Sequence, residues 1–384
     1  MEVKQLATLI NGVTAEILGK EDLLAEDLSN VVDVGTEIFN ASSVDNYVKT
    51  LVNHIGRVIF VNRPYSGGAP SVLMDGWEYG SVLEKISVDL PEATENDSWN
   101  LEDGQTYDPN IFYKPTVSAK FFNKRVTFEI PCSFTDRQVK ESFSNATQLN
   151  GFTSMLYNAV DKSMTIKTDA LIMRTINNMI GETVYDAYGA NPLTASSQIR
   201  AINLLYLYNQ KYGQSLTASD AITDPDFVRF AAYQIGVITS RLTKISTLFN
   251  VGGKERFTPS DLLHVVMLAD FKKSADVFLQ SGTFHEEYTR LPKAEEVPYW
   301  QGSGKDYAFD DVTTVKIKTA TGHDVEIPGV LCVMFDREAL GVTNFDRRVT
   351  TNYNPKAEFY NNWFKFDAGY FNDLNENFVV FFVA

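Results

Sequence analysis

The stretch Thr147–Gly181, TQLNGFTSMLYNAVDKSMTIKTDALIMRTINNMIG, decides how the rest of the chain is read. From Phe152 to Ile180 it holds neither Gly nor Pro, so it predicts one uninterrupted helix of roughly 43 Å. Phe152, Met155, Leu156, Ala159, Ile166, Ala170 and Met173 recur at helical steps and predict an apolar stripe, with Asn158, Asp161, Thr165 and Asp169 opposite. Further on the pattern rotates. Ile172, Ile176, Met179 and Ile180 take the side the early polar residues held, and Arg174, Asn177 and Asn178 take the other. Such a helix serves two packing surfaces along its length, and Gly181 is placed to end it.

At 384 residues the chain is long enough for a large core and for roughly two to three domains. A hydrophobic content of 44% with 18 Tyr and 26 Phe makes it a folded protein. The net charge of −15 argues against a nucleic-acid-binding patch spread over the surface, yet suits a wall that nucleic acid slides past. Cys132 and Cys332 are 200 residues apart and read as buried packing residues in a reducing compartment. No basic start followed by an apolar run suggests a signal peptide, and no run of 18 apolar residues suggests a membrane span. The expectation is a soluble, acidic, intracellular protein.

Outward from the long helix, residues 2–17 carry an amphipathic helical pattern in Val3, Leu6, Ile10, Val13 and Ile17. Gly19 closes it before an acidic linker. This short helix is expected to dock on the chain's own body or on a neighbour. A second helix is expected after Ser42 or Ser43, with Val44, Val48, Leu51 and Ile55 on its apolar face and His54 beside it. RVIFVNRPY (57–65) and TVSAKFFNKRVTFEIP (116–131) alternate like strands. Between them, Glu84 to Asp108 holds eight acidic residues against Lys85 alone, in a turn-rich stretch that resembles a projecting hairpin. Trp77, Trp99, Tyr107 and Phe112 on that arm are candidate contacts with a partner surface.

Beyond the long helix, Ser196–Tyr212 and Asp226–Leu248 read as helices, Leu262–Leu268 as a buried strand and Phe271–Leu279 as a helix. A hairpin about Ala320-Thr321-Gly322, a buried strand GVLCVMFD, an aromatic tail and a last strand NFVVFFVA complete a compact α/β lobe and its return.

Catalytic constellations are absent from this reading. His285-Glu286-Glu287 lacks a second His at 289, and neither Gly302-Ser303-Gly304-Lys305 nor Gly252-Gly253-Lys254 has phosphate-loop spacing. No G-x-S-x-G elbow occurs, and Asp310-Asp311, Asp324 and Asp346 would pair only by accident of folding. No cofactor and no metal site is expected.

The order of parts resembles that of tailed-phage major capsid proteins of the Hong Kong 97 fold. NVVDVGTEIFNASSVDNYVKTLVNHIGRVIFV is similar to the entry segment of those from short-tailed phages of the phi29 kind. KPTVSAKFFNKRVTFEIPCSFTDRQVKESFSNATQLNGFTSMLYNAVDKS resembles their hairpin return and spine helix, and GVLCVMFD through NFVVFFV their closing segment. The resemblance spans about Asn30 to Ala384. It implies an α+β fold with an N-terminal arm (1–29), a peripheral domain with the spine helix (30–56 and 134–185), an extended β-hairpin loop (57–133), an axial α/β domain (186–345) and a return to the peripheral domain (346–384). It also implies a shell protein, not an enzyme, assembling as pentamers and hexamers into an icosahedral or elongated head around double-stranded DNA touched non-specifically. Itself, a separate scaffolding protein and a portal are the expected partners, with assembly in the host cytoplasm and residence in the virion. An encapsulin-like nanocompartment shell is the alternative within that fold. An acidic cytoplasmic enzyme is the alternative outside it.

Overall fold

A computed structural model describes residues 3–384 apart from 21–22, 42–45, 48, 52–67, 69, 75–82, 92, 94, 96–101, 105, 107–109, 281–290, 302–308 and 320–321. Helix α1 (Val3–Leu18) buries Leu6, Ile10 and Val13 against its own chain, where they meet Val34 and Ile38 of α2 (Val31–Ala41). The linker between them is pinned: the Asn11 amide grips both the N–H and the carbonyl of Leu24, and Asn30 does the same for Ala25 N–H and Leu23 carbonyl. Of the two docking places expected for this helix, the chain's own body and a neighbour, its apolar face takes the first. Tyr47 and Leu51 join the same core, Tyr47 edge-on to Phe143 at 5.3 Å. Val44, Val48, His54, Ile55 and the strand expected at 57–65 lie outside the described residues.

Strands β1 (Leu83–Val88) and β2 (Val117–Phe122) pair antiparallel as a two-stranded ribbon. Strand β3 (Arg125–Thr135) follows but leaves the ribbon. Thr135 and Gln138 form a reciprocal capping box at α3 (Asp136–Ser142), satisfying backbone donors that a helix start leaves open.

The long helix α4 runs Ala146–Tyr188, 43 residues capped by Asn145, or about 64 Å. It does not stop at Gly181. That residue sits inside the helix where a Cβ would collide with Ile317, and Gly189, at φ 61°, ends it instead. The first predicted stripe also has the wrong phase. Met155, Ala159, Ile166 and Ala170 are exposed, while Leu149, Thr153, Leu156, Val160, Met164, Thr168, Leu171 and Thr175 are buried. The three threonines donate to carbonyls one turn back, at Leu149, Met164 and Leu171, so each hydroxyl is satisfied on its own helix and its methyl packs inward. The rotated second stripe holds: Ile172, Ile176, Met179 and Ile180 are fully buried. Asn177 is buried with them, its amide donating to the Trp300 carbonyl at 2.8 Å.

After α4 come β4 (Ala201–Asn203), α5 (Leu204–Tyr212), α6 (Ala218–Ala221) and α7 (Pro225–Leu242). Next are β5 (Leu263–Leu268), α8 (Ala269–Gln280), β6 (Glu295–Val297), α9 (Phe309–Thr313), β7 (Val315–Lys318) and β8 (Asp324–Ile327). The chain finishes with β9 (Val330–Asp336), β10 (Leu340–Asn354), β11 (Phe359–Asn372) and β12 (Phe378–Phe382). Two expected helices are shorter than read. Only Leu204–Tyr212 of the first is helical, its cap Asn203 closing a strand, and the second ends at Leu242 before a Ser246–Arg256 bridge.

Two sheets organise these elements. One has the order β10-β11-β3, so β3 lies beside the hairpin of β10 and β11. The other has the order β4-β12-β9-β5-β6. Strand β12 lies parallel to β4 and antiparallel to β9 in this second sheet. Its five residues and all seven of β9 are buried, as a strand covered on both faces requires. The early half of α4 packs in the smaller core with α1 and α2, and its later half packs in the larger core of the lobe.

Candidate functional site

Among the described residues no group of His, Cys, Asp or Glu is arranged to hold a metal ion, and no helix is long and apolar enough to cross a membrane. His285-Glu286-Glu287 and Gly302-Ser303-Gly304-Lys305 lie outside them. Gly252-Gly253-Lys254 is a turn tied by the Asn250 side chain, and the Lys254 ammonium rests on Asp89 at 2.8 Å. Asp346 sits beside Arg348 at 3.7 Å.

The feature that asks for a function is the β1–β2 ribbon, whose polarity is inverted. Alternation along each strand sends Leu83, Lys85 and Ser87 to one face with their register partners Phe122, Lys120 and Ser118. This is the covered face. Ile86, Val88, Ala119, Val117 and Phe121 share the other face, with Glu84 opposite Phe121, and that face is open to solvent. Phe121 is 63% exposed, and Ile86, Val88 and Val117 are each more than half exposed. Leu90, Ile111, Phe112 and Tyr113, which flank the two strands in sequence, are exposed as well, Phe112 at 84%. Exposed apolar residues gathered in this way make the ribbon the candidate interaction surface.

Of the four contact residues read from the sequence, Phe112 is placed on this exposed surface, while Trp77, Trp99 and Tyr107 lie outside the described residues. The sequence reading missed Ile86, Val88, Val117 and Phe121. Their signal was present: the alternation KISV and TVSAKFF is regular, but it does not say which phase faces the body.

The covered face is held by charge. Asp373, in the turn between β11 and β12, takes Lys85 at 3.0 Å and Lys120 at 2.9 Å. Glu376 lies 3.3 Å from Lys85 and 3.4 Å from Arg256, and Glu338 lies 3.6 Å from Lys85. Burial alone would push the Asp373 carboxyl up, but the hydrogen bond from Lys120 and the charge of Lys85 outweigh it and hold it below the usual range. Burial likewise works against the Lys85 ammonium, and Asp373 with Glu376 more than restores it. Phe122 packs on Phe371 with ring centroids 5.1 Å apart.

Comparison with known proteins gives this geometry a setting. A family model described as Phi29-like phage major capsid protein matches residues 10–382. No curated protein matches the chain. Among solved structures, a chain from the structure of the head fiber and inner core protein gp22 of native bacteriophage P68 is 11% identical with a TM-score of 0.50, over 84% of this chain and 87% of that one. The capsid structure of Staphylococcus phage Andhra gives 10% identity and 0.47, over 84% and 86% of the two chains. That of the cyanophage P-SCSP1u gives 11% and 0.46, over 85% and 92%. Identities this low speak to fold alone. The family match runs through both cores, the inverted ribbon and the closing strand, and the chain belongs to the Phi29-like phage major capsid proteins, structural components of the virion.

Proposed function

We propose that this major capsid protein assembles as pentamers and hexamers into the closed head of a tailed phage, and that the outward face of the β1–β2 ribbon is one of its intersubunit contacts. The observation that carries the reading is the ribbon's exposed face: Ile86, Val88, Val117 and Phe121 are each more than half exposed, while Lys85 and Lys120 turn toward Asp373. Identical subunits joined by an arm of one on the body of the next make heterologous contacts, which close into rings when the rotation allows. Phe112 is proposed as a contact along with the ribbon face, as are Trp77, Trp99 and Tyr107 from their residue type and place in the sequence. In this reading the lobe with the five-stranded sheet is the axial domain, and the long helix with the β10-β11-β3 sheet is the peripheral domain. The net charge of −15 suits a wall that repels packaged double-stranded DNA and leaves it mobile. A separate scaffolding protein and a portal would be needed to size and nucleate the head in the host cytoplasm, and no chemistry is required of the chain.

Negative-stain electron microscopy of the protein expressed with and without its neighbouring genes' products tests this. Closed shells of uniform diameter are expected, and deletion of Pro91–Gly104 should leave folded subunits that build none. A strict monomer under every condition, or normal shells from the deletion, would overturn the proposal.

A further inference from the structure

The inward face of the ribbon carries a conflict that its two strands cannot resolve. Lys85 and Lys120 are register partners, so two ammonium groups project from directly opposed positions on one face. Like charges so placed weaken strand pairing, and a lone two-stranded ribbon is marginal to begin with. Their common partner is Asp373, whose side chain is 3% exposed and offers one oxygen to each lysine, Oδ2 to Lys85 and Oδ1 to Lys120. The carboxylate is itself aimed from behind: Asn375 N–H donates to Oδ1 at 3.1 Å, and Asp373 N–H donates to the Ala339 carbonyl at 2.7 Å. Glu376 and Glu338 reach Lys85 but not Lys120, so neither can replace the bridge.

We propose that Asp373 is the positioning residue of the assembly arm: by bridging Lys85 to Lys120 it holds the two strands in register and turns their apolar face outward. The link to assembly rests on the function proposed above; the bridge itself is a property of the single subunit. Its chemistry is charge neutralisation: Asn at this position keeps the shape and, through Oδ1, the acceptor for Asn375 and Lys120, while losing the charge and the Oδ2 acceptor that faces Lys85.

The test is amide hydrogen exchange, read by mass spectrometry on subunits kept below the assembly concentration. In Asp373→Asn the amides of β1 and β2 should exchange at least about tenfold faster, while those of β9 and β12 keep their rates. Adding Lys120→Met to that variant removes the like-charge opposition and should restore most of the protection. A packing role would not be rescued this way. Unchanged exchange in Asp373→Asn, or a double variant no better protected than the single one, would overturn the proposal; should the single variant fail to fold, protection in the double variant decides it. Shell yield, measured separately, reports on the assembly reading. Loosened ribbons that still build normal shells would leave Asp373 as the bridge and refute the ribbon as a contact.

Discussion

Replacing Phe121 by Ser separates assembly from folding. An enclosed aromatic side chain buries roughly 150–250 Å². With 63% of Phe121 open in the subunit, about 100–150 Å² remains for a neighbour to cover. At about 25 cal/mol per Å² that burial is worth about 3 kcal/mol per contact, or roughly a hundredfold in an association constant. The subunit itself loses little, because Phe121 faces solvent opposite Glu84, and its stability should change by less than about 1 kcal/mol. Light scattering against protein concentration gives the threshold for shell growth, and urea unfolding of dilute subunits gives the stability. The threshold should rise by about two orders of magnitude with the urea midpoint nearly fixed. Shells at the unmodified threshold would refute the reasoning. So would an unfolding free energy lowered by several kcal/mol, which would mean Phe121 is buried within its own fold.

Three other outcomes are expected. Gly→Ala should have opposite signs at two sites of the long helix: Gly151→Ala meets open space and should stabilise by about 0.5–1 kcal/mol, whereas Gly181→Ala drives a methyl into Ile317 and should destabilise by about 1 kcal/mol, both read by thermal unfolding. Asp373 is depressed in the folded state, so its contribution is present above the ordinary carboxylate range and lost as pH falls through its folded value; ribbon protection should be flat from pH 8 to 5 and decline only below about 4. Burial raises both thiols, so Cys332 should resist a thiol reagent until the subunit unfolds and Cys132 should react more slowly than in the unfolded chain.

Much of the fold was legible because local pattern and local structure agree. The Leu263–Leu268 strand running into a helix, the Val315–Ile327 hairpin and the Val330–Asp336 strand carry periods that their environments honour. The stripe of the long helix was misphased for a definable reason. Thr153, Thr168 and Thr175 count as polar on any scale, yet each hides its hydroxyl against its own backbone, so the burial they mark is invisible to a hydropathy count. The place of β12 was illegible for another reason: pairing with β4 across some 180 residues is decided by the assembled sheet and leaves no local trace. The candidate site was legible only in part. The stretch that holds Leu83–Val88 reads as a projecting hairpin, but alternation alone does not say which phase of a ribbon is exposed, so Ile86, Val88, Val117 and Phe121 could not be told from residues packed on the body.

The division of the long helix between two cores has a mechanical consequence. Met164 is the last of its side chains in the smaller core and Leu171 the first in the larger one. Thr168 is the one fully buried residue between them, and its hydroxyl draws on the Met164 carbonyl. The helix is thus anchored in two cores, and the passage from one to the other takes about 10 Å at 1.5 Å per residue. Because Thr168 alone is fully buried across that passage, displacing one core relative to the other would bend the helix here first, with the two anchored ends behaving as stiff plates.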